Sequence, residues 1–121
     1  MRLFALRGAT GVEENDAEHI LDGTAELMRA ILERNGISTD DVVSCIFTAT
    51  DDLDAEFPAV AARAVGFNRV PLLCAREIPV PGSMRRVVRV MIHYYADADH
   101  EPVHVYLRGA EALRADLEAA Q

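Results

Sequence analysis

The segment RRVVRVMIHYY, residues 85–95, constrains the fold more than any other stretch of the chain. Its run of branched and apolar side chains favours a buried β-strand, because such residues fit a pleated surface. Arg89 interrupts that run with a permanent positive charge. Removing an unpaired charge from water costs several kcal/mol even after relaxation, so the fold must supply a partner for this guanidinium.

Length and composition indicate one domain over residues 1–121, because half of the 121 residues are hydrophobic and one core suffices. No apolar run approaches the roughly 20 residues of a membrane-spanning helix, and the N-terminus leads directly into a strand-like run rather than a signal peptide. Cys45 and Cys74 form no C-x-x-C pair, which fits a reducing compartment. We therefore expect a soluble, cytoplasmic protein without membrane contact.

The charge balance limits the classes of partner and reaction. A formal net charge of −8 argues against nucleic-acid binding, which needs a basic stripe. All 12 basic residues are arginine, and the lack of lysine excludes Schiff-base enzymes, lysine-held pyridoxal enzymes and Walker-type P-loops. An anionic ligand would therefore be bound by a local cluster of arginines, against the mean field of the protein.

Hydrophobic periodicity predicts one long helix, one short helix and about five strands. Apolar residues at three- and four-residue steps predict an amphipathic helix over residues 16–34, with Asn15 or Asp16 as its N-cap. Pro58 begins a short helix that ends near Gly66. Strands are predicted at residues 2–7, 42–50, 69–78, 85–95 and 102–109.

This order of elements predicts an α+β fold in which a single sheet carries both helices on one face. The chain has no further element to cover the other face of the sheet. An uncovered apolar face implies self-association, so we expect an oligomer.

Three charged side chains lie within apolar strand sequence: Arg7 in LFALRG, Glu77 in LLCAREIPV, and Arg89. Taken singly, each is explained as well by a structural role, as a strand-end residue reaching solvent or a member of an internal Arg–Glu pair, as by a functional one. Together, two arginines and one glutamate leave a positive surplus that suits an anionic ligand with carboxylates. Tyr106 in VHVYLRG adds a phenol, and Arg63 at the end of FPAVAAR adds a third positive group.

Nucleophilic and metal chemistry are poorly supported by the sequence. Cys74 has no histidine near it along the chain, so a buried core thiol is the better interpretation. The acidic loop DDLDAEF lacks the glycine offset of a calcium loop, and the four histidines show no ligand spacing. We therefore predict a pocket of arginines, one carboxylate, a thiol and a phenol, with no metal and no cofactor.

Five segments in order resemble the AroH class of chorismate mutases: RGAT at 7–10, ATDDLDAEFPAVAAR at 49–63, VPLLCAREIPV at 70–80, RVMIHY at 89–94 and HVYLRGAEALRADL at 104–117. The resemblance implies conversion of chorismate to prephenate, on the route to phenylalanine and tyrosine, without cofactor or metal. It also implies a homotrimer that forms a pseudo-α/β-barrel, with the helices outside and the active sites between subunits.

The resemblance also implies roles for individual residues. Arg89 would donate to the ether oxygen of chorismate and to a carboxylate, Arg7 would bind a carboxylate, and Glu77 would accept from the ring hydroxyl. Further substrate contacts are implied for Tyr106, Cys74, Arg63, Phe57, Ala59, Leu73, Leu113 and Arg114.

The chain departs from the expected pattern at two places. Val60 stands where some members have lysine, which removes one peripheral positive charge. Cys74 and Glu77 are three residues apart, so a regular strand aims them at opposite faces unless it ends or bulges between them. Two other functions stay open on the sequence: a non-catalytic trimer that binds a small carboxylate, and a trimeric enamine/imine deaminase.

Overall fold

A computed structural model describes residues 1–113. Within them the chain forms five strands, one long helix and one short helix, as predicted. In chain order these are β1 (Arg2–Gly11), α1 (Ala17–Asn35), β2 (Val42–Ala49), α2 (Pro58–Ala64), β3 (Leu72–Arg76), β4 (Val87–Ala96) and β5 (Val105–Leu107). Single-turn 3-10 helices add Thr39–Asp41 and Ala110–Ala112.

The five strands form one mixed sheet in the order β3-β2-β4-β1-β5. The long strand β4 lies at its centre and runs antiparallel to both neighbours, β2 and β1. The outer strands β3 and β5 run parallel to β2 and β1. This confirms the predicted α+β class with a single mixed sheet.

Helix α1 is defined by local signals that the sequence carries at both ends. The Asp16 side chain accepts a hydrogen bond from the His19 backbone N–H at 2.8 Å, which makes Asp16 the N-cap. Gly36 adopts the left-handed conformation with φ of 61° and ends the helix. None of the helices in residues 1–113 is long and apolar enough to span a membrane.

Both helices cover the same face of the sheet. The apolar stripe of α1, which includes Leu27, Met28 and Ile31, belongs to one core with alternate residues of β4. Ala62 of α2 joins the same core. The buried residues that β4 contributes are Val88, Val90, Ile92 and Tyr94.

Strand β1 is longer than the predicted strand at residues 2–7. Gly8 does not end it, because Gly8 pairs with Val90 of β4 and with Val105 of β5. A Cβ at Gly8 would lie 2.8 Å from Ile31 Cδ1, so a larger residue there would make the end of that side chain shift where α1 approaches the sheet closely. The sequence analysis ended the strand at Gly8 because glycine is common in turns, but glycine is also selected where two elements pack closely.

The outer strands are shorter than predicted. Strand β3 covers only residues 72–76 of the predicted 69–78, and β5 only 105–107 of the predicted 102–109. Each has a single neighbour in the sheet, so its length is limited to the residues that pair with that neighbour. An apolar run cannot indicate where such pairing stops.

The second face of the sheet carries apolar side chains that no described element covers. Leu3, Ile46, Leu73 and Met91 point to it and are 49%, 40%, 62% and 37% exposed. At one end a small cluster built around Ala9, Val87, Tyr106 and Ala110 covers part of this face. The predicted uncovered face is therefore present in residues 1–113.

Candidate active site

A row of paired residues crosses the uncovered face of the sheet, one from each strand. Because directly paired residues share a face, their side chains project to the same side at intervals of about 4.8 Å. From β3 to β5 the row consists of Ala75, Thr48, Arg89, Ala9 and Tyr106. The alanines leave space beside Arg89, and Arg7 lies two residues from Ala9 on the same face of β1.

Glu77 is the partner that the charge of Arg89 requires. The Arg89 Nε lies 2.9 Å from the Glu77 Oε2, and the two side chains are 34% and 18% exposed. The buried Nε–H nevertheless does not have hydrogen-bond geometry toward any group in residues 1–113. The ion pair therefore balances the charge while leaving donor capacity on the guanidinium.

Glu77 lies one residue beyond β3 and is fixed at both its backbone and its side chain. Its N–H donates to the Ala49 carbonyl at 2.9 Å. Its Oε2 accepts a hydrogen bond from the Thr48 hydroxyl and also faces Arg89. Its Oε1 has no hydrogen-bond partner among the described residues, so this oxygen is free to accept from a ligand.

The charged groups border one open cavity of about 600 Å³, a size suited to a small ligand. Two arginines and one carboxylate leave a net positive charge there, in a protein whose overall charge is −8. The lining includes Arg7, Ile46, Thr48, Glu77, Arg89, Met91 and His93. The structure thus brings the three predicted charged residues together.

Tyr106 lies at the end of the row, where its ring packs with Ala9 and Val87. Its hydroxyl is buried and has no hydrogen-bond partner within residues 1–113. A buried hydroxyl without a partner costs about 1–3 kcal/mol, which a ligand acceptor would recover. Leu113 packs against the same small cluster.

Cys74 and Phe57 line a different cavity, of about 340 Å³, near the edge of the sheet. Cys74 pairs with Phe47, whose side chain is fully buried on the helix-covered face. The predicted opposite orientation of Cys74 and Glu77 is therefore present, although β3 ends between them. Within one chain the thiol does not line the cavity of Arg89, and Thr48 lines both cavities.

The remaining predicted substrate contacts are dispersed in the single chain. Arg63 of α2 is exposed, as is Val60 at the position where a basic residue was expected. Ala59 packs against the main core, and Leu73 is 62% exposed on the uncovered face of the sheet. Arg114 lies outside the described residues.

The acidic loop after β2 has a structural use for its carboxylates. Asp52 accepts from the Arg86 N–H at 3.0 Å and lies 3.3 Å from the Arg85 Nε. Burial opposes ionisation of Asp52, but hydrogen bonds from Thr50 and Arg86 and the charge of Arg85 lower its pKa. Asp54 accepts from Asn15 at 2.8 Å. These contacts attach the loop to Asn15, which precedes α1, and to the two arginines that precede β4.

Sequence reasoning missed Thr48. Its side chain touches Glu77, and its backbone pairs with Arg89. The only sequence signal was a hydroxyl inside the apolar run VVSCIFTAT, and a hydroxyl residue in a strand has many ordinary uses. Its place beside the charged pair follows from the register between β2 and β4.

Comparison with known proteins agrees with this geometry. The family model for chorismate mutase type I matches residues 3–117. The chain is 52% identical to chorismate mutase AroH of Thermus thermophilus over 96% of this chain and 97% of that protein. It is 40% identical to chorismate mutase AroH of Bacillus subtilis (strain 168), over 97% and 94% of the two chains.

A solved structure shares the fold as well. The chorismate mutase from Clostridium thermocellum superposes with a TM-score of 0.88 and 48% sequence identity, covering 91% of this chain and 99% of that one. A family match over nearly the whole chain, relatives well above 30% identity and a sheet carrying the charged cavity all lead to one assignment. The chain belongs to the type I chorismate mutase family, and its activity is that of a chorismate mutase.

Proposed function

We propose that Arg89, Arg7 and Glu77 catalyse the rearrangement of chorismate to prephenate in the cavity on the uncovered face of the sheet. One C–O bond of the substrate breaks as one C–C bond forms within the same molecule. No proton transfer, nucleophile, metal or cofactor is needed. The protein then has two means of acceleration, which are holding the reactive conformer and stabilising charge that develops on the ether oxygen.

The single observation that carries this proposal is the incomplete pairing of Arg89 with Glu77. Arg89 offers donors that Glu77 does not use, so they are free for the ether oxygen and a substrate carboxylate. Stabilisation of a developing negative charge by a preorganised donor is usually the largest catalytic contribution in such a site.

The other polar groups select and orient the substrate. Arg7 supplies a second guanidinium at the cavity, suited to bidentate binding of a carboxylate. The free Oε1 of Glu77 accepts from the ring hydroxyl and balances positive charge on the allylic fragment. The unpartnered hydroxyl of Tyr106 donates to a carboxylate.

The complete site is proposed to form between subunits of a homotrimer. In one chain Phe57 is 67% exposed and lines the smaller cavity near the edge of the sheet, whose lining does not include Arg89. A neighbouring copy would therefore bring Phe57, Ala59 and Arg63 to the charged cavity of this chain. The exposed residues Ile46, Leu73 and Met91 supply an apolar surface for that assembly.

For Cys74 we propose a wall position near the ring hydroxyl, reached across the sheet edge. Its thiol lies in the smaller cavity that shares Thr48 with the charged one. We also propose a cytoplasmic location, where chorismate serves the synthesis of phenylalanine and tyrosine.

The test is direct. Purified protein is expected to remove the absorbance of chorismate with no added cofactor, and a chelator is expected to leave the rate unchanged. Prephenate is identified by its conversion to phenylpyruvate in acid. Glu77→Gln keeps the shape of the side chain and serves as the low-activity control. A rate no higher than the uncatalysed one, or equal activity of Glu77→Gln, contradicts the proposed site.

A further inference from the structure

A guanidinium and a hydroxyl group compete for the carboxylate of Glu77. Arg89 approaches it from β4, and Thr48 donates to it from β2. Both use the same oxygen, Oε2, and leave Oε1 without a partner among the described residues. This arrangement is unusual for an arginine–carboxylate pair, since such pairs are frequently bidentate with two parallel N–H···O bonds.

We infer that Thr48 is a positioning residue that prevents Arg89 and Glu77 from closing into a bidentate pair. By holding Oε2, the hydroxyl fixes the rotation of the carboxylate and directs Oε1 away from the guanidinium. Without that hydrogen bond, Arg89 would engage both oxygens. Oε1 and a second N–H donor of Arg89 would then face each other and be lost to the substrate. The inference rests on the proposed role of Glu77 and Arg89 in catalysis.

The location of Thr48 suits this role. Its backbone is paired with Arg89 of β4 on one side and with Ala75 of β3 on the other, so it lies between the strand that carries Arg89 and the strand that leads into Glu77. A β-branched side chain in a strand has few χ1 rotamers, so the hydroxyl is held in a fixed direction at little entropic cost. The small side chain of Ala75 leaves space beside Thr48, whose hydroxyl donates to the Glu77 carboxylate.

Removal of the hydroxyl at constant shape tests the inference. Thr48→Val is expected to lower kcat about 10- to 100-fold, the effect of one lost hydrogen bond to a charged group, and to change KM less than about threefold. Thr48→Ser retains the hydroxyl and is expected to stay within about twofold of the parent kcat. A purely structural role of the threonine would not give this separation of kcat from KM or the recovery by serine.

A double-mutant cycle identifies the group through which Thr48 acts. In the Glu77→Gln background, Thr48→Val is expected to lower kcat less than about twofold, because the carboxylate it positions is already absent. Ser44→Ala is the matched control. Ser44 lies on the same face of β2, its hydroxyl is 3.5 Å from the His93 Nδ1, and its loss is expected to leave kcat unchanged.

Each outcome decides one question. Parent-like kcat in Thr48→Val, with Glu77→Gln slow, overturns the inference and leaves the proposed function intact. Parent-like kcat in Glu77→Gln instead overturns the proposed site. Equal losses from Thr48→Val in both backgrounds show that Thr48 acts on the substrate directly, which also overturns the inference. If Thr48→Val does not fold by circular dichroism, Thr48→Ala removes the hydroxyl with less bulk and replaces it in every comparison.

Discussion

Arg89 shows how an apolar strand can accommodate a charged side chain. The side chain keeps 34% of its surface exposed, so its desolvation is partial, and a carboxylate lies 2.9 Å from its Nε. Breaking such a pair by removing one partner leaves the other charge uncompensated, whereas removing Arg89 leaves Glu77 with a hydrogen bond from Thr48. Stability of the fold therefore gives little reason to retain the charge, in line with the proposed role of Arg89 in substrate binding.

Arg89→citrulline removes the charge and keeps the shape of the side chain. We expect kcat to fall by about 10²–10³, the usual loss for one preorganised donor, with a much smaller change in KM. The free energy of unfolding should stay close to that of the parent. Arg29→citrulline, on the exposed face of α1, is the matched control. A folded Arg89→citrulline protein with parent kcat refutes the role of the charge.

Cys74→Ala tests whether the thiol is a wall residue or a nucleophile. The thiol lies in the smaller cavity rather than beside Arg89, so we expect a loss of about tenfold or less, since a neutral hydrogen bond is worth roughly 1 kcal/mol. The measurement is kcat and KM for chorismate in the purified variant. Complete inactivity of a normally folded Cys74→Ala protein supports the nucleophile instead.

Cys45 makes the stability of the fold sensitive to alkaline pH. Burial raises the pKa of its thiol from 9.0 to about 12. A raised folded-state pKa means that stability is complete below pH 9.0 and is lost as the pH rises toward 12. The loss is on the order of 2–4 kcal/mol, because each pKa unit corresponds to about 1.4 kcal/mol.

Urea unfolding at fixed chain concentration between pH 8 and 11 measures this loss. Cys45→Ala should have a flatter pH dependence than the parent, although it will be less stable at pH 8 because of the cavity it creates. A residual slope is expected from Tyr94, whose pKa is also raised by burial. Parallel pH curves for parent and variant contradict the assignment to Cys45.

At the scale of elements, the end of β1 lies in close backbone contact with the segment that follows β5. A Cβ at Gly11 would lie 2.1 Å from the Arg108 carbonyl oxygen, a backbone atom that cannot move independently. A Cβ at Gly23, inside α1, would meet only ordinary contacts at 3.7 Å or more. Two glycines close together in the fold therefore have opposite tolerance to the same change.

Gly11→Ala is expected to destabilise the protein by about 1–3 kcal/mol, because the end of β1 must move away from Arg108. Gly23→Ala is expected to stabilise it by about 0.5–1 kcal/mol, because alanine loses less backbone entropy in a helix. Thermal unfolding of the two variants beside the parent is the measurement. A shift of the same sign in both variants contradicts this account of the two glycines.

At the scale of the whole molecule, two features favour the proposed homotrimer. One is the exposed apolar face of the sheet, and the other is that the predicted substrate contacts are split between two cavities of a single chain. Light scattering behind size exclusion is expected to give about three times the chain mass of 13.3 kDa. A fully active monomer at micromolar concentration contradicts a site shared between subunits.

Mixed trimers test the sharing itself. Arg89→Ala and Phe57→Asp should each be nearly inactive alone. Phe57→Asp places a negative charge beside the two carboxylates of chorismate. Co-refolding equal amounts of the two variants mixes their subunits at random, so about three quarters of the trimers contain both. In each mixed trimer one of the three interfaces combines an intact Arg89 with an intact Phe57. The mixture should therefore have about a quarter of the parent activity. No recovery in verified mixed trimers would place both residues in the same subunit's site.

The sequence by itself determined the elements and the chemistry of the candidate site. The three- and four-residue spacing of apolar residues located α1 within one residue at each end, because helix periodicity and caps are local properties. Arg7, Glu77 and Arg89 were recognised because a charge in an apolar strand is costly wherever the strand is placed. The structure brings these three to one cavity, and their catalytic roles stay a prediction.

Only the tertiary structure decided which side chains meet. The register of β2 against β4 places Thr48 opposite Arg89, and the pairing of β3 with β2 turns Cys74 toward the helices. A shift of one residue in either register would exchange the two faces without altering any local pattern. Contacts between strands distant in the chain are set by the packing of the whole core, so the residue that positions Glu77 was not visible in the sequence.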